Sequence, residues 1–272
     1  MSEQKPSSVG SLSQALDVYA PAKIAERVAT AGVAKATLPS LSLFTLAVLA
    51  GAFIAFGAMF YLTVLYQLGP DCGAGRLVGG IAFSLGLLLI VVGGAELFTG
   101  NNLIILARCD GLVGTDALLR NWGVVYAGNF VGAVATAFLI VMSGVIGPEV
   151  GAFADLVREV AESKTGMPWE KAFARGILCN TLVCLAVWLC FACRTVTDKA
   201  VAVVFPISAF VTIGFEHSVA NMFFLPLGVM MGLPPDTVGI ARNMIAVTGG
   251  NIVGGAGFVG IVYWIIYRRG LR

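Results

Sequence analysis

The chain has 272 residues, of which 58% are hydrophobic and 12% are charged, and its formal net charge at pH 7 is +2. A mean hydropathy of +0.91 is too high for the surface of a soluble domain, so the composition predicts a polytopic membrane protein. The small net charge and the lack of a long basic run in the sequence argue against nucleic acid as a partner.

Residues 1–40 are expected to form a cytoplasmic N-terminal segment, followed by a membrane domain at residues 41–272. The segment has no basic stretch followed by a short apolar core, so a cleaved signal peptide is not expected. Apolar residues recur in it every four positions, at Leu12, Leu16, Ala20, Ile24 and Val28. This spacing is typical of an amphipathic helix at the membrane surface, and an ordinary packed N-terminus is the alternative.

Six apolar segments follow, each near or above the roughly 20 residues that a membrane-spanning helix needs. They occupy residues 41–66, 77–107, 122–146, 172–193, 200–231 and 243–267. The second and fifth are unusually long, and each carries a glutamate near its centre, Glu96 and Glu216. A helix interrupted by a short loop at membrane depth accounts for both features. The sequence therefore predicts an all-α protein with six transmembrane helices, of which the second and fifth are broken.

Lysine and arginine are distributed unequally between the two sides of this arrangement. Eleven of the 17 lie on the side of both termini, and six lie on the other side. Because cytoplasmic loops are enriched in these residues, both termini are predicted to be cytoplasmic. The connection at residues 147–171 is then the longest external loop.

An internal repeat relates the two halves of the membrane domain, residues 41–146 and 172–267. The matching segments are ELFTGN at 96–101 with EHSVAN at 216–221, and GNFVG at 128–132 with GNIVG at 250–254. Since three spans cross the membrane an odd number of times, the second half is predicted to enter inverted relative to the first. Inverted repeats with paired broken helices place a pathway at the bilayer midplane, which predicts a channel or transporter.

Each break would leave the N-terminus of a half-helix near the midplane, where its unpaired amide donors favour an anion. His217, the only histidine in the chain, lies in the second break. It is predicted to donate a hydrogen bond or a proton to the anion, which lowers the cost of carrying a charge through an apolar pore. A structural histidine held between helices is the alternative. Thr99 lies in the first break and is predicted to face His217.

Other residues around the breaks have predicted supporting roles. Polar residues that recur in both repeats are expected to hold the breaks in shape: Glu96, Asn101, Glu216 and Asn221. Bulky apolar residues could form constrictions that exclude water, with ordinary helix packing as the alternative: Phe83, Leu87, Leu97, Phe98 and Phe210. Lys164, in the external loop, could draw anions to the mouth of the pore, and a solvated surface lysine is the alternative.

No metal centre, cofactor or catalytic residue is predicted. Cys190 and Cys193 have the C-x-x-C spacing, but the chain has no second such pair and only one histidine, which argues against a closed zinc site. The midplane ionisable residues, Glu96, Glu216 and His217, offer neither paired histidine ligands for haem nor an ordinary catalytic dyad. The protein is therefore not expected to be an enzyme.

Three segments, in this order along the chain, resemble signatures of the formate/nitrite transporter family. They are GGAELFTG at 93–100, GILCNTLVCLA at 176–186 and GFEHSVANM at 214–222. The resemblance covers roughly residues 15–270. It implies a homopentamer of aquaporin-like protomers, each with its own pore, in the inner membrane of a bacterium.

The resemblance also implies roles for particular residues. His217 would be the central pore histidine and Thr99 its partner, and the N-terminal helix would gate the cytoplasmic mouth. Phe83, Leu87 and Phe210 would form the periplasmic constriction, and Leu97 with Phe98 the cytoplasmic one. Asn180 and Lys164 would be polar positions associated with the pore.

Together these observations predict a passive or proton-linked channel for small monovalent anions, embedded in membrane lipid. Formate is the leading substrate, and nitrite or hydrosulfide are the alternatives. A pore of the aquaporin type for uncharged solutes has a similar predicted architecture. The chain lacks the Asn-Pro-Ala motif, which argues against that class.

Overall fold

The computed structural model describes residues 18–70, 72–146 and 151–271, and within these ranges every regular element is a helix. Six of the described helices are long and apolar enough to span a membrane: Ser40–Leu68, Gly73–Gly93, Thr115–Met142, Trp169–Ala192, Val196–Ile213 and Thr237–Tyr267. Each overlaps one of the six predicted segments. The prediction of an all-α protein with six membrane-spanning helices is therefore confirmed.

We number the α-helices in chain order: α1 Pro21–Ala36, α2 Ser40–Leu68, α3 Gly73–Gly93, α4 Phe98–Asn101, α5 Ile105–Cys109, α6 Thr115–Met142, α7 Gly151–Thr165, α8 Trp169–Ala192, α9 Val196–Ile213, α10 Ser218–Met230, α11 Thr237–Ile252 and α12 Val262–Tyr267. A 3-10 turn at Asn102–Ile104 joins α4 to α5, and a π-helical stretch at Val253–Ile261 joins α11 to α12. A final 3-10 turn covers Arg269–Leu271.

The second and fifth predicted segments are both interrupted, as the sequence predicted. Helix α3 is followed by Gly94 (φ +83°) and helix α9 by Gly214 (φ +86°), both in the left-handed region, where a side chain would be strained. The residue before each new helix, Leu97 or His217, is extended. Each break therefore ends one helix and starts another in the interior of the protein.

Glycines at matching positions bring the first and third spans of each half into backbone contact. A Cβ on Gly132 of α6 would lie 1.9 Å from the carbonyl oxygen of Val48 in α2. A Cβ on Gly254, after α11, would lie 2.1 Å from the carbonyl oxygen of Ile177 in α8. Only glycine permits such an approach, so these two positions set how closely the spans around each break can pack.

Helix α1 lies directly before the first span and packs against the protein interior. Its residues Ile24 and Val28, from the predicted amphipathic repeat, are 5% and 2% exposed and belong to an apolar cluster with Trp188 of α8. Leu12 and Leu16, the first two residues of that repeat, lie outside the described residues.

Helix α7 occupies most of the connection that the sequence analysis treated as an external loop. Its buried residues, Phe153, Leu156, Val157 and Ala161, are spaced three and four apart, which is the pattern of one helix face. That pattern was present in the sequence and would have predicted the helix. The face packs against α10, so α7 covers the second break much as α1 covers the first.

Candidate functional site

Asn129 of α6 holds the first break in shape. Its side-chain oxygen accepts a hydrogen bond from the Phe98 amide at 2.9 Å, which satisfies one of the free donors at the start of α4. Its side-chain nitrogen donates to the carbonyl of Ala47 in α2 at 2.8 Å and to that of Glu96 in the break at 2.9 Å. One buried amide thus ties three segments of backbone together.

Asn251 makes the same three contacts at the second break. Its oxygen accepts from the Ser218 amide at 2.9 Å, and its nitrogen donates to the carbonyls of Gly176 at 2.8 Å and Glu216 at 3.0 Å. The repeat that the sequence indicated therefore extends to individual hydrogen bonds. Both asparagines are completely buried.

The Glu96 carboxylate accepts hydrogen bonds from a lysine and an asparagine. Lys35, at the end of α1, donates to it at 2.6 Å, and Asn101 of α4 donates at 2.7 Å. Asn101 also donates to Asn121 of α6 at 2.9 Å, and Asn121 in turn donates to the Lys35 carbonyl at 3.0 Å. A closed set of contacts therefore links α1 to the first break.

The Glu216 carboxylate has an equivalent set of partners. Lys164, at the end of α7, donates to it at 2.9 Å, and Asn221 of α10 donates at 2.7 Å. Asn221 donates to Asn243 of α11 at 2.8 Å, and Asn243 donates to the Lys164 carbonyl at 3.0 Å. Each half therefore consists of an amphipathic helix followed by three spans, and the lysine that ends the amphipathic helix is bound to its break.

These contacts change the interpretation of Lys164 and add Lys35 to the residues of the site. Lys164 is not a solvated loop residue: its side chain is 12% exposed and pairs with Glu216. Lys35 was not singled out from the sequence, although it occupies the equivalent place in the first half. In each break the glutamate accepts hydrogen bonds from a lysine and an asparagine.

Thr99 and His217 meet where the two breaks approach each other. The Thr99 hydroxyl oxygen lies 3.0 Å from His217 Nε2, and the two residues are 0% and 3% exposed. His217 Nδ1 accepts a hydrogen bond from the Ala220 amide at 3.1 Å, so it carries no proton. A neutral ring must then carry its proton on Nε2, which donates to Thr99. The Thr99 hydroxyl proton is left available for another acceptor.

A cavity of about 590 Å³, here called the Lys164 cavity, reaches the histidine from one side. Its lining includes His217, Phe83 and Phe210. The ring of Phe210 stacks on the histidine ring at a centroid distance of 6.0 Å and meets the Phe83 ring edge-on at 5.7 Å. The charged residues in the lining are four basic and two acidic: Arg76, Lys164, Lys171, Arg175, Glu159 and Glu216.

A second cavity of about 480 Å³, here called the Lys35 cavity, opens beside the first break. Leu87 and Leu97 line it, whereas His217 and Thr99 do not. Leu87 lines this cavity and Phe83 lines the Lys164 cavity, although both were expected at one constriction. The charged residues in this lining are four basic and one acidic: Arg27, Lys35, Arg194, Lys199 and Glu96.

Two further predicted residues contact neither cavity. Asn180 of α8 is completely buried, and its side-chain nitrogen donates to the Thr99 carbonyl at 3.2 Å, so it supports the break from behind. The Phe98 ring packs edge-on against Trp122 and Tyr126 of α6, at centroid distances of 6.3 Å and 5.0 Å.

Among the residues that the structure describes, no three of histidine, cysteine, aspartate and glutamate come together as a metal site.

The fold and site define a class of protein: a multi-pass membrane protein in which two interrupted helices bring a buried threonine–histidine pair between two basic cavities. Over residues 22–265 the chain matches the family described as "Formate/nitrite transporter". The chain therefore belongs to the formate/nitrite transporter family, as its three motifs indicated.

Named relatives include channels and transporters. The chain is 41% identical to the formate channel FocA of Escherichia coli (strain K12), with 93% of this chain and 96% of that protein covered. It is 39% identical to a probable formate transporter of Methanothermobacter thermautotrophicus, with 92% and 97% covered. A solved structure described as a pentameric formate channel with formate bound is 38% identical, has a TM-score of 0.76 and covers 84% of this chain and 97% of its own. Another, described as an FNT family ion channel, is 30% identical, with a TM-score of 0.81 and coverage of 90% and 98%.

Proposed function

We propose that this protein conducts small monovalent anions across a membrane, with formate as the leading substrate. The observation that carries the proposal is the buried hydrogen bond between Thr99 and His217, placed between two cavities in which basic residues outnumber acidic ones. Basic linings raise the local concentration of anions, whereas a pore for uncharged solutes has no need of them. Membership of the formate/nitrite transporter family and relatives named as formate channels support the same choice.

The path begins in the Lys164 cavity and crosses the edge-on contact of Phe83 with Phe210, where a hydrated anion sheds water. At the midplane the anion separates Thr99 from His217 and accepts hydrogen bonds from the hydroxyl and from Nε2. Two donors of this kind replace part of the hydration that the carboxylate has lost. The anion leaves past Leu87 and Leu97 into the Lys35 cavity.

His217 acts in this path as a neutral donor, because Nδ1 is occupied by the Ala220 amide. A second proton on the ring requires that contact to break, so proton-linked transport involves a movement at the start of α10. If transport is proton-linked, formate flux should rise as the pH falls. The environment of the Ala220 amide should change over the same pH range.

The surroundings of the pore follow from the same proposal. We place the chain in the inner membrane of a bacterium with both termini and the Lys35 cavity cytoplasmic, as the lysine and arginine distribution favours. Five copies form the assembly, and the second half of each chain is inverted relative to the first. Large apolar side chains that remain exposed on the spans, including Phe205 and Leu139, are then covered by lipid or by neighbouring subunits.

Flux into liposomes that contain the purified protein tests the proposal. We expect formate to enter at least as fast as nitrite and hydrosulfide, and glycerol to cause no more osmotic swelling than in liposomes without protein. Nitrite is the second candidate because the family description names it. If nitrite entered faster than formate, nitrite would be the leading substrate. Swelling in glycerol without any formate flux would contradict an anion pore.

A further inference from the structure

Cys184 of α8 lies behind the first break with its thiol directed at the residue that binds the histidine. Its Sγ donates to the Thr99 carbonyl at 3.3 Å, and its side chain is completely buried. Asn180, four residues earlier on the same face of α8, donates to the same carbonyl at 3.2 Å. The backbone of Thr99 is therefore held by two side chains of the fourth span.

The amide of Asn180 cannot satisfy all of its contacts at once. Its side-chain nitrogen has two hydrogens but lies near three acceptors: the Asn251 carbonyl at 2.7 Å, the Asn102 side-chain oxygen at 2.8 Å and the Thr99 carbonyl at 3.2 Å. The two shorter contacts take most of the two hydrogens, so the contact of the amide with the Thr99 carbonyl is the weakest of the three. The thiol of Cys184, which has one hydrogen to give, is then the main donor to that carbonyl.

The thiol is confined from the other side by the last span. Within the π-helical stretch, Gly255 lies so close that a Cβ there would be 2.9 Å from Cys184 Sγ and 2.3 Å from the Asn180 side-chain nitrogen. The other acceptor near Sγ is the side-chain oxygen of Asn180, at 3.8 Å, which is farther than the Thr99 carbonyl. The confined thiol therefore has one favoured acceptor.

We propose that Cys184 is a positioning residue of the pore: its thiol fixes the Thr99 backbone and thereby aims the Thr99 hydroxyl at His217 Nε2. This inference rests on the proposed function of the Thr99–His217 pair. The hydrogen bonds of Cys184 go to the Thr99 carbonyl and the Asn180 side chain, so it acts through the backbone of the break. Cys179, on the same helix and equally buried, forms no thiol hydrogen bond within the described part of the chain, so it is a matched control.

The contact itself is tested without transport, by the infrared S–H stretching bands that C184A and C179A remove from the spectrum of the full-length protein. We expect the Cys184 band at lower frequency than the Cys179 band, because a thiol that donates has a weakened S–H bond. Coincident bands would overturn the contact, whatever the protein transports.

The positioning role is tested by formate flux per folded protein and by its pH profile. We expect C184A to lower flux by about threefold to tenfold, the range that loss of one hydrogen bond allows, and to move the pH profile. C184S keeps a donor and should recover much of the flux, whereas C179A should stay within about twofold of the unmodified protein. A purely structural cysteine would lower thermal stability without changing the profile, so unchanged flux and profile in C184A would overturn the inference. If H217F also leaves flux unchanged, the proposed role of the Thr99–His217 pair has failed and the infrared result stands alone.

Discussion

Lys164→Met is expected to destabilise the protein more than the equivalent change at Lys35. Each lysine neutralises a glutamate buried in a break, but the Lys164 side chain is 12% exposed and the Lys35 side chain 31%. Removing one partner of a buried pair costs about 3–5 kcal/mol, because the remaining charge is left without compensation. A pair that water reaches is worth far less, about 0–1 kcal/mol when fully exposed. We therefore expect about 3–4 kcal/mol for Lys164→Met and roughly half of that for Lys35→Met.

Thermal unfolding of the purified variants in one detergent measures this difference. Apparent Tm values are compared at a single heating rate, because unfolding of such proteins is commonly irreversible. Lys171→Met is the matched control: Lys171 is an exposed lysine of the same cavity, so its loss removes the same charge without leaving Glu216 unpaired. Adding Glu216→Gln to Lys164→Met should recover part of the loss. The reasoning would be refuted if Lys164→Met lowered Tm no more than Lys35→Met or Lys171→Met.

Two further predictions concern packing and charge. Gly254→Ala should prevent stable folding or lower Tm strongly, because the new Cβ meets the Ile177 carbonyl. Gly257→Ala on the same π-helical stretch is the control: its Cβ has no heavy atom within 4 Å, so this variant should fold normally. Similar Tm values for the two variants would contradict the packing argument. Replacing Arg76 and Arg175 by glutamine should lower formate flux from the Lys164 side by about tenfold at low ionic strength and by less at high salt. A salt-independent loss would mean that these arginines do not act through charge.

The spans and their interruptions could be predicted because each leaves a local mark on the sequence. Hydropathy locates a membrane helix, and a glutamate inside a segment that is too long for one helix indicates a break. Asn129 and Asn251 could be paired because the residues around them repeat. These signals depend on short stretches of chain, so they can be recognised in the sequence without knowledge of the fold.

Other features depend on contacts between distant residues and leave no such mark. Lys35 pairs with Glu96, which is 61 residues away in the sequence. Lys164 lies in a segment predicted to be a loop, and the packing of α7 brings it to Glu216. Phe83 and Leu87 are four residues apart, about 6 Å along the helix axis, and they line different cavities. Position along the axis therefore decides which cavity each of them lines.

The central claim is that anions pass between Thr99 and His217. Formate flux into liposomes, compared between the unmodified protein and H217F at several pH values, tests it most directly. Loss of a donor to a charged group costs about 1.5–3 kcal/mol, so we expect flux to fall by about 10-fold to 100-fold and its pH dependence to change. H217F that folds normally and conducts formate at the unmodified rate, with the same pH dependence, would contradict the account.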